Sequence, residues 1–335
     1  MRGVILSLAC AGFLSAVAGC RSEPEGTVEP KVTGDKKPGQ PVKVAFVTNC
    51  VADFWEYAAA GAKKAASELD RVEVEVIMPE PGDVTTQRGK IESLLNRGVD
   101  GIAVSPCDAA AMNDLLNNAA GKTVLITHDS DAPKSDRLFY IGTNNFTAGE
   151  AAGRAFLEVC PEGGQVAMFV ARLDAQNAIE RSEGFKAATK GKVEVVKIFT
   201  DAFDRGTAKK NVLDAIQAYG GLKGLVGLYA YNGTAIASAL GESGEAAKRI
   251  KVVAFDEEDA TLEAVEKGLI HATVVQNPYE FGARSVKVLA ALARGDKSVL
   301  PQGFPENRIV YIPERIIRQK DAAAFRAELK KLREK

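Results

Sequence analysis

Beyond residue 41 the chain alternates short apolar runs with amphipathic helical stretches, and the alternation runs through twice. The first series reads as strands at Val42–Thr48, Val72–Met78, Gly101–Val104, Thr123–Thr127 and Leu138–Ile141. Helices at Asp53–Leu69, Val84–Arg97 and Asp108–Ala119 separate the first four. The second series reads as strands at Gln165–Val170, Val193–Phe199, Gly224–Leu228, Ile250–Ala254 and His271–Val275. Helices at Gln176–Thr189, Arg205–Tyr219, Gly233–Leu240 and Asp259–Lys267 lie between them. A helix at Tyr279–Arg294, a strand near Arg308–Ile312 and a helix at Asp321–Leu332 close the chain. Short strands that are apolar on both faces, joined by helices, pair in parallel and are covered on both sides. The fold class is therefore α/β: two doubly wound parallel-sheet lobes.

In an open parallel sheet, ligands sit beyond the carboxyl ends of the strands, where strand order reverses. With an order of 2-1-3-4 in each lobe, the reversal is bordered by Asn49–Trp55 and Ser105–Asp108 in the first lobe. In the second it is bordered by Ala171–Asn177 and Tyr229–Asn232. These loops face one another across an interlobe cleft. A sugar presents apolar C–H faces and a ring of hydroxyls, so it calls for flat aromatics and planar polar groups. Phe54, Trp55 (the chain's one tryptophan) and Phe203 suit the first role. Asp129, Arg181, Asn232, Asp256 and Gln276 adjoin strand ends and suit the second. Charge-assisted bonds to a desolvated hydroxyl are about twice as strong as neutral ones. Asn49, Ser105, Asp108 and Ser130 are further candidates.

The amino terminus says where such a chain works. Arg2 precedes an uncharged apolar run from Val4 to Val17, then Ala18, Gly19 and Cys20. The run is short for a mature membrane span and has the flanks of a cleaved export signal. Val17-Ala18-Gly19-Cys20 resembles the bacterial lipobox, whose cysteine is acylated, so residues 1–20 read as a lipoprotein signal peptide with Cys20 as the lipid site. Residues 21–41 carry four prolines and little that is apolar, and read as a flexible tether averaging roughly 27 Å end to end. Charges balance, 43 Lys and Arg against 44 Asp and Glu, which removes the electrostatic case for nucleic acid. Cys50, Cys107 and Cys160 lack metal-ligand spacing. Cys50 and Cys107 end adjacent strands, where a disulfide and two free thiols both stay open. No metal or cofactor is expected: there is no Gly-x-Gly, no GxxxxGK[ST] loop and no grouped nucleophile, histidine and acid. Catalysis is not expected.

An ordered set of motifs carries a family resemblance. In the first half these are AspPheTrp (53–55), SerProCysAsp (105–108), HisAspSerAspAlaPro (128–133) and TyrIleGlyThrAsnAsn (140–145). In the second they are AlaIleGluArgSerGluGlyPhe (178–185), AlaPheAspArg (202–205), TyrAlaTyrAsn (229–232), ValValAlaPheAsp (252–256) and AlaThrValValGlnAsnPro (272–278). Over residues 42–315 the chain resembles the bacterial periplasmic ribose- and galactose-type sugar-binding proteins, the substrate receptors of ABC importers. The resemblance implies a type I periplasmic binding fold with a three-crossing hinge near Thr143, Gln276 and Glu306. It assigns residues 42–143 plus 277–305 to one lobe and 144–276 plus 306–335 to the other. It gives Phe54, Trp55 and Phe203 stacking roles, and gives Asp129, Arg181, Asn232, Asp256 and Gln276 hydroxyl-binding roles. Ser130 stands where the ribose receptors have arginine, and Ser105 where they have asparagine, so ribose itself is not implied. The expected function is a monomeric, lipid-anchored receptor delivering a monosaccharide to an ABC permease, with a sensor or chemoreceptor partner as the alternative.

Each site residue also has a plainer reading. Trp55 suits core packing, and Arg181, between Glu180 and Glu183, suits a solvated ion pair. Asp256 heads an acidic run that suits a helix start. Asn232 and Gln276 equally suit satisfying loop backbone groups.

Overall fold

The computed structural model describes residues 31–37 and 39–333; the expected export signal, the expected lipid site Cys20 and the first part of the expected tether lie outside the described residues. Two six-stranded sheets form the two lobes. The first sheet holds β1 (Val42–Val47), β2 (Val72–Ile77), β3 (Gly101–Val104), β4 (Val124–His128), β5 (Tyr140–Gly142) and β11 (Ile309–Tyr311). The second holds β6 (Gly164–Val170), β7 (Val193–Thr200), β8 (Leu222–Gly227), β9 (Lys251–Phe255), β10 (Ala272–Val275) and β12 (Arg315–Arg318). The orders are β11-β5-β4-β3-β1-β2 and β12-β10-β9-β8-β6-β7, parallel throughout except for β12, which runs antiparallel to β10. Each reversal of order falls between the first and third strands of its lobe, as the 2-1-3-4 expectation required.

Burial follows position in the sheet. β3, β4 and β10 are buried along their whole length, whereas edge strand β2 alternates, with Glu73 and Glu75 exposed between half-buried valines. The helices are α1 (Asp53–Glu68), α2 (Val84–Asn96), α3 (Ala109–Lys122), α4 (Asn145–Val159), α5 (Gln176–Ala188) and α6 (Arg205–Ala218). They continue with α7 (Ala230–Glu242), α8 (Glu245–Arg249), α9 (Asp259–Glu266), α10 (Pro278–Ala293) and α11 (Gln319–Arg333). Several start on a side-chain cap: Asp83, Asp108, Asn144, Asp204 and Asn277 each accept a backbone N–H from the first turn.

Each lobe has one helix pair in backbone contact. On α1, a Cβ added at Gly61 would stand 2.0 Å from the Tyr279 carbonyl oxygen of α10, and one at Gly282 1.9 Å from that of Ala58. In the second lobe, a Cβ at Gly149 would stand 2.1 Å from the Arg181 carbonyl oxygen, and one at Gly184 2.0 Å from that of Phe146. Only glycine permits these approaches, and they fix how α1 and α5 sit over the strand ends.

Four expectations need correction. No element was read between Ile141 and Gln165, yet α4 occupies Asn145–Val159; its buried face is mostly alanine and glycine, which gives little apolar periodicity. β12 was also unread. The third crossing lies between Tyr311 and Arg315 instead of near Glu306, because β11 completes the first sheet and Arg308 is bound there through the Leu138 and Ser135 carbonyls. Finally, residues 31–36 of the expected tether lie on the first lobe. Lys31, Gly34 and Lys36 donate backbone N–H groups to the carbonyls of Ala120, Leu292 and Ala293, and Val32 packs on the core. These acceptors end α3 and α10, so the strap satisfies open helix C-termini at the pole away from the cleft. Cys50, Cys107 and Cys160 are free thiols.

Candidate ligand-binding site

Asp129 and Asp256 follow β4 and β9, the equivalent strands of the two lobes. Both hold left-handed backbones, with φ of 57° and 64°. Aspartate tolerates this region better than most residues, but the conformation persists only where surroundings impose it. The impositions match. Asp129 N–H donates to the Ile141 carbonyl and Asp256 N–H to that of Val274. The Asp129 carbonyl accepts from Tyr140 Oη (2.9 Å) and the Asp256 carbonyl from Thr273 Oγ1 (2.7 Å). Two carboxylates are thereby aimed from opposite lobes into one gap.

Between them lies Arg181, whose side chain is 1 % exposed. The Gly149 contact sets its backbone. Nε–H donates to Asn145 Oδ1 (2.9 Å), Nη1–H to the Leu228 carbonyl (2.8 Å), and the guanidinium lies 4.7 Å from the centre of the Phe255 ring. Nη1 stands 3.9 Å from Asp256, while Nη2 is buried with no partner. Gln276 donates through Nε2 to Asp256 Oδ1 (2.9 Å), leaving its buried Oε1 without a donor. Burial pushes the Asp129 carboxyl up to about 6, against the pull of Arg181 and of the Ser105 hydroxyl that donates to it at 2.8 Å. Burial likewise raises Asp256, with Arg181 and Gln276 working against it.

Aromatic rings close the gap on both sides. Trp55 is 2 % exposed, edge-on to Phe54 at 4.8 Å between centres, and its indole N–H donates to Asn49 Oδ1 (3.1 Å). It belongs to the core and to the gap's wall at once. Phe203, also left-handed at φ 67°, stacks on Tyr229 at 6.2 Å. The gap holds about 600 Å³ of atom-free space, a figure that includes the open solvent at its mouth.

Of the expected site residues, Phe54, Trp55, Asp129, Arg181, Phe203, Asp256 and Gln276 line this gap, and so does Asn49. Asn232 does not. It is fully buried in the first turn of α7, where Oδ1 accepts the Tyr229 N–H and Nδ2 donates to Asp201, so the backbone-satisfying role applies. Ser105 acts on Asp129 from behind, and Ser130 is buried beside it. Asp108 caps α3 and reaches Arg172 of the second lobe at 3.5 Å. His128 stacks on Phe46 at 4.0 Å, and burial holds its pKa down to about 3, which fits a neutral structural ring.

A sequence profile described as the periplasmic binding protein domain matches residues 44–297. The chain belongs to the periplasmic binding protein family. Among curated relatives, this family member is 28 % identical over 239 residues to the ribose import binding protein RbsB of Haemophilus influenzae, covering 71 % of the chain and 80 % of the relative. Among solved structures, an ABC transporter solute-binding protein of Burkholderia graminis in complex with D-arabinose superposes with a TM-score of 0.79. It is 28 % identical, with 85 % of this chain and 98 % of that one covered. The glucose-galactose binding protein GanP of Geobacillus stearothermophilus gives a TM-score of 0.78 at 27 % identity, covering 84 % and 99 %. The ribose- and galactose-type resemblance read from the motifs agrees with these neighbours.

The sequence reading of this periplasmic binding protein missed Asn177, Arg205, Tyr229 and Tyr231 at the gap. Asn177 and Tyr229 bound loops already placed at the switch point, and Arg205 ends the AlaPheAspArg motif. The signal lay in their loop positions. Asn145, which holds Arg181, was missed together with α4. No group of three His, Cys, Asp or Glu able to hold a metal occurs among the described residues.

Proposed function

We propose that this periplasmic binding protein is an extracytoplasmic receptor, anchored by a lipid on Cys20, that closes on one monosaccharide and presents it to an ABC importer. The observation that carries the reading is the pair of unpartnered atoms in the gap, Arg181 Nη2 and Gln276 Oε1. A buried donor or acceptor left unmet costs about 1–3 kcal/mol, and a hydroxyl meets a donor and an acceptor together. Asp129 and Asp256 add further acceptors, and Trp55, Phe54 and Phe203 offer flat faces for a sugar ring. The sugars named for the neighbouring structures, D-arabinose and glucose or galactose, support the same class. No helix among the described residues is long and apolar enough to cross a membrane.

Thermal denaturation against a library of pentoses, hexoses and polyols tests the ligand class. A ligand at 100 times its Kd stabilises the native state by about 2.7 kcal/mol, which raises Tm by several degrees. Trp55→Ala should lose that rise while still melting cooperatively without ligand. A folded protein whose Tm no sugar moves would refute the reading. For the anchor, Cys20→Ala should shift the protein from the membrane fraction to the soluble one.

A further inference from the structure

The first passage between the lobes is short. β5 ends at Gly142 in the first sheet, and α4 starts at Asn145 against α5 of the second lobe. Three buried polar side chains lie along it: Tyr140, Thr143 and Asn145. Tyr140 Oη stands 2.9 Å from the Asp129 carbonyl oxygen and 3.0 Å from that of Thr143, and shares its one proton between them. Burial raises the phenol well above its ordinary pKa, so it stays a donor. Glycine at 142 leaves room for the hydroxyl, since a Cβ there would stand 2.2 Å from it.

The Asn145 amide can face only one way. Arg181 Nε–H donates to Oδ1 at 2.9 Å, and a guanidinium offers no acceptor, so the amide nitrogen is turned to the first lobe. There Nδ2 lies 3.5 Å from the Asp129 carbonyl, and 3.4 Å from both Tyr140 Oη and the Thr143 carbonyl. One side chain thus reaches the mounting of a ligand-facing group in each lobe: the guanidinium of Arg181 and the left-handed turn of Asp129.

Rotation of the lobes about this crossing carries Asn145 with α4 and leaves Asp129 and Tyr140 with the first sheet. The amide therefore spans the joint only over a narrow range of hinge angles. On the closing receptor proposed above, we infer that Asn145 is a positioning residue coupling the two lobes: it sets Arg181 and the Asp129 turn together, at the hinge angle where both face the ligand. Losing the amide costs the closed form, where these groups are buried together, and costs the open form less, because water reaches them. Affinity follows that difference. A buried polar group left unmet shifts such an equilibrium about 5- to 150-fold.

D-ribose, D-arabinose, D-galactose and D-glucose serve as probes, with calorimetry for Kd and stopped-flow mixing for rates. Asn145→Ala and Tyr140→Phe should each weaken the tightest probe at least fivefold, chiefly through faster dissociation. The double variant should be no more than about threefold weaker than the worse single variant. Unchanged affinity, or effects that multiply, overturns the inference. So does wild-type affinity in Asn145→Asp, which keeps an oxygen for Arg181 and removes only the donor to the first lobe. A second readout needs no ligand. Tyr140→Phe removes a hydroxyl bonded to the Asp129 and Thr143 carbonyls and not to Arg181, yet it should speed hydrogen exchange of Arg181 Nε–H, followed by NMR, at least fivefold. Unchanged exchange overturns the coupling whatever the sugars do. If no sugar of the library above binds the folded protein, the sugar reading falls, and the exchange result alone decides the coupling.

Discussion

Asp129 is ionised in a place that does not favour its charge. Its native pKa of about 6 lies above the 3.8 of a free side chain, so the native state holds the proton more tightly than the unfolded chain. Stability is then lost as pH rises from about 4 to 6, and the penalty is fully present above that window. Asp129→Asn should raise the ligand-free Tm at pH 7.5 and change it little at pH 4. Sugar hydroxyls donate to the carboxylate and favour its ionised form. Affinity should therefore tighten from pH 5 to pH 7 in the wild type and stay flat in Asp129→Asn, as titration calorimetry at each pH would record. At this scale, residues immediately after buried strands were legible, because a polar side chain at a strand's carboxyl end has few places to go. Asn232 was not, since its motif alone could not tell a ligand contact from a turn of helix that needs its own backbone bonded. Arg181 was legible only through its motif. Its acidic neighbours Glu180 and Glu183 pointed to a solvated ion pair, while the structure buries it against Asn145 and the Leu228 carbonyl.

The α4–α5 pair decides whether Arg181 reaches the gap. Gly149 and Gly184 let backbones meet where any side chain would intrude, and Gly153 of α4 also lies close against α5. Gly184→Ala should force the helices apart and cost roughly 1–3 kcal/mol, a drop of several degrees in Tm, because overpacking a close contact strains both backbones. The same variant should weaken sugar binding, since displaced α5 carries Arg181 with it; equal Kd in variant and wild type would detach the helix crossing from the site. Strands such as β1, β3 and β9 could be read from dense valine and isoleucine runs. α4 escaped because tight crossing replaces large apolar residues with alanine and glycine, erasing the period that marks a helix. β12 escaped because a lone edge strand of four residues carries too few positions to show a period.

In the whole molecule, the lobes already touch. Ala230 of the second packs in the first lobe's cluster, and Tyr57 of the first packs in the second's. Arg172 reaches Asp108 across the mouth, but both side chains are partly exposed, at 33 % and 18 %. Exposed pairs contribute about 0–1 kcal/mol, so apolar contact outweighs the ion pair in holding this arrangement. Arg172→Ala should therefore weaken sugar binding by no more than about fivefold. Saturating sugar should lower the radius of gyration in small-angle scattering, and an unchanged radius would argue against closure on the ligand. Two similar lobes were plain from the doubled series, while the third crossing was misplaced because one short strand near residue 310 suits either sheet. The strap at residues 31–36 has a consequence for reach. With the proposed lipid at Cys20, ten residues separate the anchor from Lys31, and ten residues span at most about 35 Å whatever their conformation. The moored pole could then never drift farther than that from the bilayer, and receptor and importer would find each other by gliding in one plane instead of wandering through a volume.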